Sequence, residues 1–233
     1  MKGFRILLLK EERALFSSPI AYVLVSVFLL LMGYTFTVTL FLNKVATLVH
    51  MFFQMSVLFL LMVPAITMRL VAEERKTGTI ELLLTAPVIE IQIVLAKFVA
   101  SMTLVIVMLG LSASYAIVLG ISGDPDWGPI HSGYLGLVLL AGALVALGLL
   151  ASSLTANQIV AAMLSLGLFL LLWMLDTFGD LLPVPFDTFF VNLALVTHFT
   201  PFATGSLFLS DAGYFVSLTL LGLFLSVRAL ARR

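Results

Sequence analysis

Ala72-Glu73-Glu74-Arg75-Lys76-Thr77-Gly78-Thr79-Ile80-Glu81-Leu82-Leu83-Leu84-Thr85-Ala86-Pro87 is the stretch that decides the fold. Four charged residues run together at Glu73–Lys76, in a chain that is 62% hydrophobic and only 10% charged, with a mean hydropathy of +1.21. An ordinary soluble domain carries about 25% charged residues. The chain is therefore a polytopic, all-α membrane protein, and this stretch is a polar island that must reach water. Gly78 breaks any helix arriving from the apolar run before it, and Thr79 is placed to cap the next one. Glu81 falls in that helix's first turn, where the dipole favours an anion. Ile80, Leu83 and Leu84 give it an apolar face at i, i+3, i+4 spacing, and Pro87 blocks its continuation. Residues 72–87 thus read as a short helix across the ends of two spans, presenting Glu73, Glu74, Arg75 and Lys76 to a soluble partner. The competing reading is an ordinary charged loop whose leucines pack on the bundle.

Working outward, six apolar runs read as membrane spans, for which a bilayer needs roughly 20 residues: 20–42, 49–68, 91–119, 134–154, 158–175 and 212–227. Residues 1–16 mix Lys2, Arg5, Lys10 and Arg13 with Phe4, Leu7, Leu8 and Leu15. They read either as an amphipathic interfacial helix or as a positive flank that fixes topology, and Glu11 interrupts the apolar stripe. Basic residues before an apolar run also suit a signal peptide, but no small-residue cleavage site follows, so 20–42 reads as a retained span. Pro64 should kink the second span near its exit. The third run would be ~43 Å long as a helix, so its first two turns, with Gln92 and Lys97, are expected to project into water. Gly123-Asp124-Pro125-Asp126-Trp127-Gly128-Pro129 is a loop signal. Residues 183–201, holding Pro183, Pro185 and Pro201, are too short to cross and read as an external re-entrant or interfacial segment.

Charge sets the orientation. With the N-terminus inside, Lys2, Arg5, Lys10, Arg13, Arg69, Arg75, Lys76, Lys97, Arg228, Arg232 and Arg233 are cytoplasmic, leaving only Lys44 outside among the 12 basic residues. That satisfies the positive-inside rule, with both termini and the segment 72–87 cytoplasmic.

Several chemistries find no support. Net charge is zero with no large basic patch, which argues against nucleic acid as a partner. Cysteine is absent, which removes disulfides, thiolate metal sites and cysteine nucleophiles. There is no Gly-x-x-x-x-Gly-Lys-Ser/Thr loop to bind nucleotide and no His-Glu-x-x-His metal motif. His50, His131 and His198 are scattered near outer ends of spans and read as interfacial side chains. Gly120-Ile121-Ser122-Gly123 resembles the nucleophile motif of rhomboid proteases, with His198 as a conceivable base, but it sits where the third span must end and reads as a turn. Almost no ionisable residue lies at mid-membrane, which disfavours an ion-driven carrier. Gly110 with Ser114, Gly142 with Ala146, and Ala161 with Ser165 suit close helix packing. Thr35, Thr39, Asn43 and Gln54 are polar positions in or near the first two spans that either face a substrate path or bond to neighbouring backbone; the second reading is preferred, and no substrate path is assigned.

The motif Glu73-Glu74-Arg75-Lys76-x-Gly78-Thr79-x-Glu81-Leu82-Leu83-Leu84-Thr85-x-Pro87-Val88, between spans two and three of six, resembles the signature of ABC-2-type transporter permeases. Phe16-Ser17-Ser18-Pro19-Ile20-Ala21-Tyr22-Val23, Tyr134-Leu135-Gly136-Leu137 and Ala151-Ser152-Ser153-Leu154-Thr155-Ala156-Asn157-Gln158 are similar to the gliding-motility permease (GldF-like) branch. The resemblance implies an interfacial helix (1–16), six spans, a cytoplasmic coupling helix (79–86) and short external helices before the last span. It implies two permease subunits, identical or related, paired with cytoplasmic ABC ATPase subunits that bind the ATP, in a bacterial cytoplasmic (inner) membrane. The chain itself is then no enzyme and holds no cofactor. The ATPase-coupling interface it implies comprises Glu73, Glu74, Arg75, Lys76, Gly78, Thr79, Ile80, Glu81, Leu83 and Leu84. The cargo expected is amphipathic or lipid-linked, with export favoured. The alternative is a membrane scaffold of an envelope or motility machine, with transport secondary.

Overall fold

The computed structural model describes residues 2–40, 47–79, 89–123, 125–179 and 186–231, and these form helices and connecting turns without strands. In chain order the helices are α1 (Lys2–Phe16), α2 (Pro19–Val38), α3 (Val49–Thr67), α4 (Ala72–Thr77), α5 (Glu90–Ser122), α6 (Trp127–Leu154), α7 (Gln158–Gly179), α8 (Phe186–Val191), α9 (Leu195–Thr204) and α10 (Leu209–Ala231). Six of them, α2, α3, α5, α6, α7 and α10, are long and apolar enough to cross a membrane.

α6 is the axis of the bundle. It has no charged residue and is rich in Gly, Ala and Ser, so neighbours can approach its backbone closely. α3, α5, α7, α9 and α10 all pack on it. Most of its length is buried, whereas α2, α7 and α10 keep most of theirs at the outside, where lipid would cover them. Aromatic side chains fill the space between α6 and its neighbours: Phe52 of α3 meets Tyr134 edge-on at 5.3 Å, and Phe202 of α9 lies 6.3 Å from Phe215 of α10.

α6 begins earlier than the span 134–154 expected from hydropathy. Asp126 Oδ1 accepts the Gly128 N–H at 3.0 Å, so Asp126 caps the helix and Trp127, Gly128 and Pro129 form its first turn. Residues 127–129 of the loop signal 123–129 are therefore helical. The described residues of the proline-bounded patch 183–201 form two short helices, and α9 continues through Pro201 to Thr204. Pro183 and Pro185 lie outside the described residues. α9 is anchored in the bundle by Ser132 Oγ, which donates to the Phe202 carbonyl at 2.8 Å, and by Thr197 Oγ1, which donates to Asp176 at 3.1 Å.

The small-residue pairs separate. Ala146 is fully buried and backs onto Gly222 of α10, where a Cβ would stand 2.9 Å from the Ala146 carbonyl carbon. Ala161 and Ser165 are buried as well, but Gly110 and Ser114 are exposed on α5 and a Cβ at Gly110 would meet nothing within 4 Å. Gly222→Ala is therefore expected to lower stability by about 1–3 kcal/mol through overpacking. Gly110→Ala should be neutral or raise it by up to ~1 kcal/mol through helix propensity. Thermal unfolding of the two purified variants in detergent tests the contrast.

Candidate functional site

The polar island holds a helix of its own before Gly78. The chain leaves α3 at Thr67, turns through 68–71 and forms α4, six residues long. So short a helix cannot stand alone, and its first N–H groups need partners. α6 supplies one: the buried Ser152 Oγ accepts the N–H groups of both Val71 and Ala72 at 3.1 Å and donates to the Met68 carbonyl at 3.1 Å. At the other end Gly78 takes a left-handed conformation, φ 72°, and its N–H reaches the Arg75 carbonyl at 3.3 Å. Thr77 Oγ1 turns back to the Glu73 carbonyl at 2.9 Å and lies 2.9 Å from Thr79 Oγ1.

The charges of α4 point in different directions. Glu74 Oε1 accepts from Lys97 Nζ of α5 at 2.9 Å, and the same Nζ lies 3.1 Å from Glu11 Oε1 of α1. Lys97 is 1% exposed, contrary to the expectation that its turn projects into water. A buried ammonium needs carboxylate partners, because an unpaired charge in a low-dielectric interior is prohibitively costly. Two carboxylates meet it, and Glu11, which breaks the apolar stripe of α1, is one of them. Lys10 Nζ bridges the same two acids from the water side, 3.3 Å from Glu74 and 3.4 Å from Glu11. Partial burial works against the Lys10 charge, but the Glu11 and Glu74 carboxylates outweigh it and hold its pKa above the ordinary 10.5. Thr103 of α5 adds a longer bond, 3.4 Å, to Glu12.

Arg75 turns to the last span, where its Nη2 donates to the Ala229 carbonyl of α10 at 3.0 Å. α1, α4, the start of α5 and the end of α10 thus meet at one end of the bundle. Glu73, Lys76, Gly78 and Thr79 are exposed there. Ile80, Glu81, Leu83 and Leu84, and with them the coupling helix expected over 79–86 beyond Thr79, lie outside the described residues. A cavity of about 690 Å³ opens beside the cluster between α1, α2, α3 and α5. Its wall is apolar at Leu24, Ile66 and Leu104, and its rim carries Arg69, Glu74 and Lys97. Glu74 Oε2 is buried at this rim without a hydrogen-bond partner among the described residues.

At the opposite end His198 of α9 is fully engaged. Its Nδ1 lies 2.8 Å from Asp211 Oδ1 and its Nε2 3.0 Å from the Asn192 carbonyl, and the ring stacks on Tyr214 with centroids 4.0 Å apart. Both ring nitrogens face oxygen acceptors, which leaves neither free to serve as a base toward Ser122, whose side chain lies outside the described residues. Thr35, a polar position of the first span, donates to the Leu31 carbonyl of its own helix at 2.9 Å. Asn43 lies outside the described residues.

Comparison with protein families decides what this assembly belongs to. The family described as ABC-2 family transporter protein matches residues 6–203 of the 233. The chain belongs to that family. A comparison with curated proteins gave no match. This ABC-2 protein is the membrane-embedded permease subunit of an ABC transporter, a component that lacks a nucleotide site of its own. The matched span takes in α4 and its partners Ser152, Lys97 and Lys10, and it ends within α9.

Lys97→Met should destabilise this permease by about 3 kcal/mol, because Glu11 and Glu74 would lose the ammonium buried between them and keep only the more exposed Lys10. Adding Glu11→Gln and Glu74→Gln should recover a large part of the loss in thermal unfolding. Ser152→Ala leaves two N–H groups of α4 without an acceptor and should cost about 1–3 kcal/mol. Its local signature is faster hydrogen exchange at Val71 and Ala72.

Proposed function

We propose that residues 72–87 are where a cytoplasmic ABC ATPase engages this permease, and that Glu74 passes the ATPase's movement to α1 and α5 through Lys97. The observation that carries this reading is the buried Lys97 ammonium, shared between Glu74 of the polar island and Glu11 of the N-terminal helix. A displacement of α4 by an outside partner must either drag both helices or break a buried ion pair, and the second course is the more costly. The contact surface is assigned to Glu73, Lys76, Gly78, Thr79 and the segment beyond, with Ile80, Leu83 and Leu84 as its apolar anchors and Glu81 beside them. Interfaces concentrate their energy in a few such anchors.

Two permease subunits, identical or related, work with two ATPase subunits in a bacterial inner membrane, both termini in the cytoplasm, and the motifs at 16–23, 134–137 and 151–158 favour the gliding-motility branch of the family. The cargo is amphipathic or lipid-linked and moves outward. Its support is the cavity of about 690 Å³ at the charged end, whose apolar wall and charged rim match a molecule with a tail and a polar head.

In a complex with the cognate ATPase, Glu74→Gln with Leu83→Ala should lower substrate-stimulated ATPase activity by ~10-fold or more, on the order of 1.4 kcal/mol of lost coupling. Leu83→Ala alone, which leaves the ion-pair cluster intact, should weaken assembly while leaving the thermal stability of the isolated permease unchanged. Full assembly and full stimulated activity in the double variant would refute the coupling role.

A further inference from the structure

The two sides of α4 differ in charge balance: acids and bases match in number on one side, and only bases line the other. Glu74 is held by Lys97 and Lys10, and Glu73 borders the cavity beside α1. Arg75 faces a second cavity, of about 930 Å³, between the C-terminal turns of α6 and α10. Its charged lining residues are Arg75 and Arg228, with no carboxylate among the lining residues, and its apolar walls are Leu150, Leu154, Phe224 and Leu225. Neither arginine pairs with a carboxylate among the described residues.

The helix ends do not neutralise this charge. Two guanidinium groups bring two positive charges, against about −0.5 from the carbonyl end of each of two helices, leaving roughly +1. Arg75 uses one donor on the Ala229 carbonyl at 3.0 Å, and a guanidinium has four more N–H groups in a planar fork suited to phosphate. The exposed Arg228 guanidinium lies 5.4 Å from the centroid of the Phe224 ring. The surface around the cavity is as telling as its charge. Leu154 and Phe224 are 62% and 55% exposed, and the exposed face of α10 continues through Leu221 and Leu220 toward mid-span.

We propose that this cavity is a binding site for an anionic phospholipid of the leaflet at which α4 lies. Its phosphate sits between Arg75 and Arg228, and its acyl chains run along the exposed apolar face of α10. Basic pockets between membrane helices take anionic headgroups in this way. A soluble phosphate would satisfy the arginines but would leave the apolar approach uncovered, so the lipid is the occupant that matches both halves of the site. Because Arg75 is also bonded to the end of α10, lipid bound here tightens the packing of α4 against the last span.

The test uses the full-length permease, purified in mild detergent and stripped of lipid, then incubated with phosphatidylglycerol, phosphatidylcholine or inorganic phosphate and examined by native mass spectrometry. Phosphatidylglycerol should be retained over phosphatidylcholine, with retention falling about fivefold in Arg228→Gln and about thirtyfold in Arg75→Gln with Arg228→Gln. Arg228→Gln leaves the Arg75 bond to Ala229 in place, so its loss of lipid cannot come from unfolding at α4, and Arg228→Lys should restore part of it. Equal retention of the two lipids, or retention unchanged in the double variant, would overturn the proposal. So would displacement of phosphatidylglycerol by inorganic phosphate at a comparable concentration, which would make the site a free-anion site. Loss of ATPase assembly in Arg228→Gln with lipid retention unchanged would reassign the arginines to the protein partner.

Discussion

A buried ammonium with two carboxylates around it governs the charged end of this molecule. Lys97 lies on the third membrane helix with 1% of its surface exposed, and such a position is tolerable only when counter-charge is brought to it. Glu11 and Glu74 come from elements far apart in the chain, and both must be in place at once. The consequence is geometric. α1 is held along α5, and α4 is held over both, so a chain with very few charges uses four of them to fix three elements in one arrangement.

The rest of α4's anchorage follows from the backbone. A six-residue helix has almost no internal hydrogen bonding, and its placement is set by what receives its ends. Ser152 receives the N-terminal end from the central helix, and Arg75 reaches the last span. The polar island is therefore tied to α1, α5, α6 and α10 by groups of three different kinds: an ion pair, a hydroxyl cap and a guanidinium on a carbonyl. A force applied at this surface, as the proposed ATPase would apply it, enters the bundle at its axis and at its periphery together.

The opposite end is built by other means. α9 docks on α6 through Ser132 and on α7 through Asp176, and His198 joins it to the first turn of α10 through Asp211. With its two nitrogens on the Asp211 carboxylate and the Asn192 carbonyl, the imidazole acts as a brace between elements. The base that a hydrolase reading of the turn around Ser122 would need is therefore already engaged by other groups.

Hydropathy and charge by themselves determined the class of protein, the six spans, the gathering of basic residues at one end and the special standing of residues 72–87. These are properties of short windows, because a lipid-crossing helix is specified by its own length and composition. The sequence also marked Gly78 as a stop and Glu11 as a break in an apolar stripe, without saying what either served. Only the tertiary structure decided that Lys97 is buried, that Ser152 caps α4, that Arg75 and Glu74 face opposite ways, and that Gly222 rather than Gly110 is a close-contact position. Each of these depends on partners tens of residues away. Whether a lysine near a membrane surface extends into water or turns inward is settled by whether carboxylates from other helices arrive to meet it. No local pattern records that meeting, although the misplaced acid of α1 was its trace.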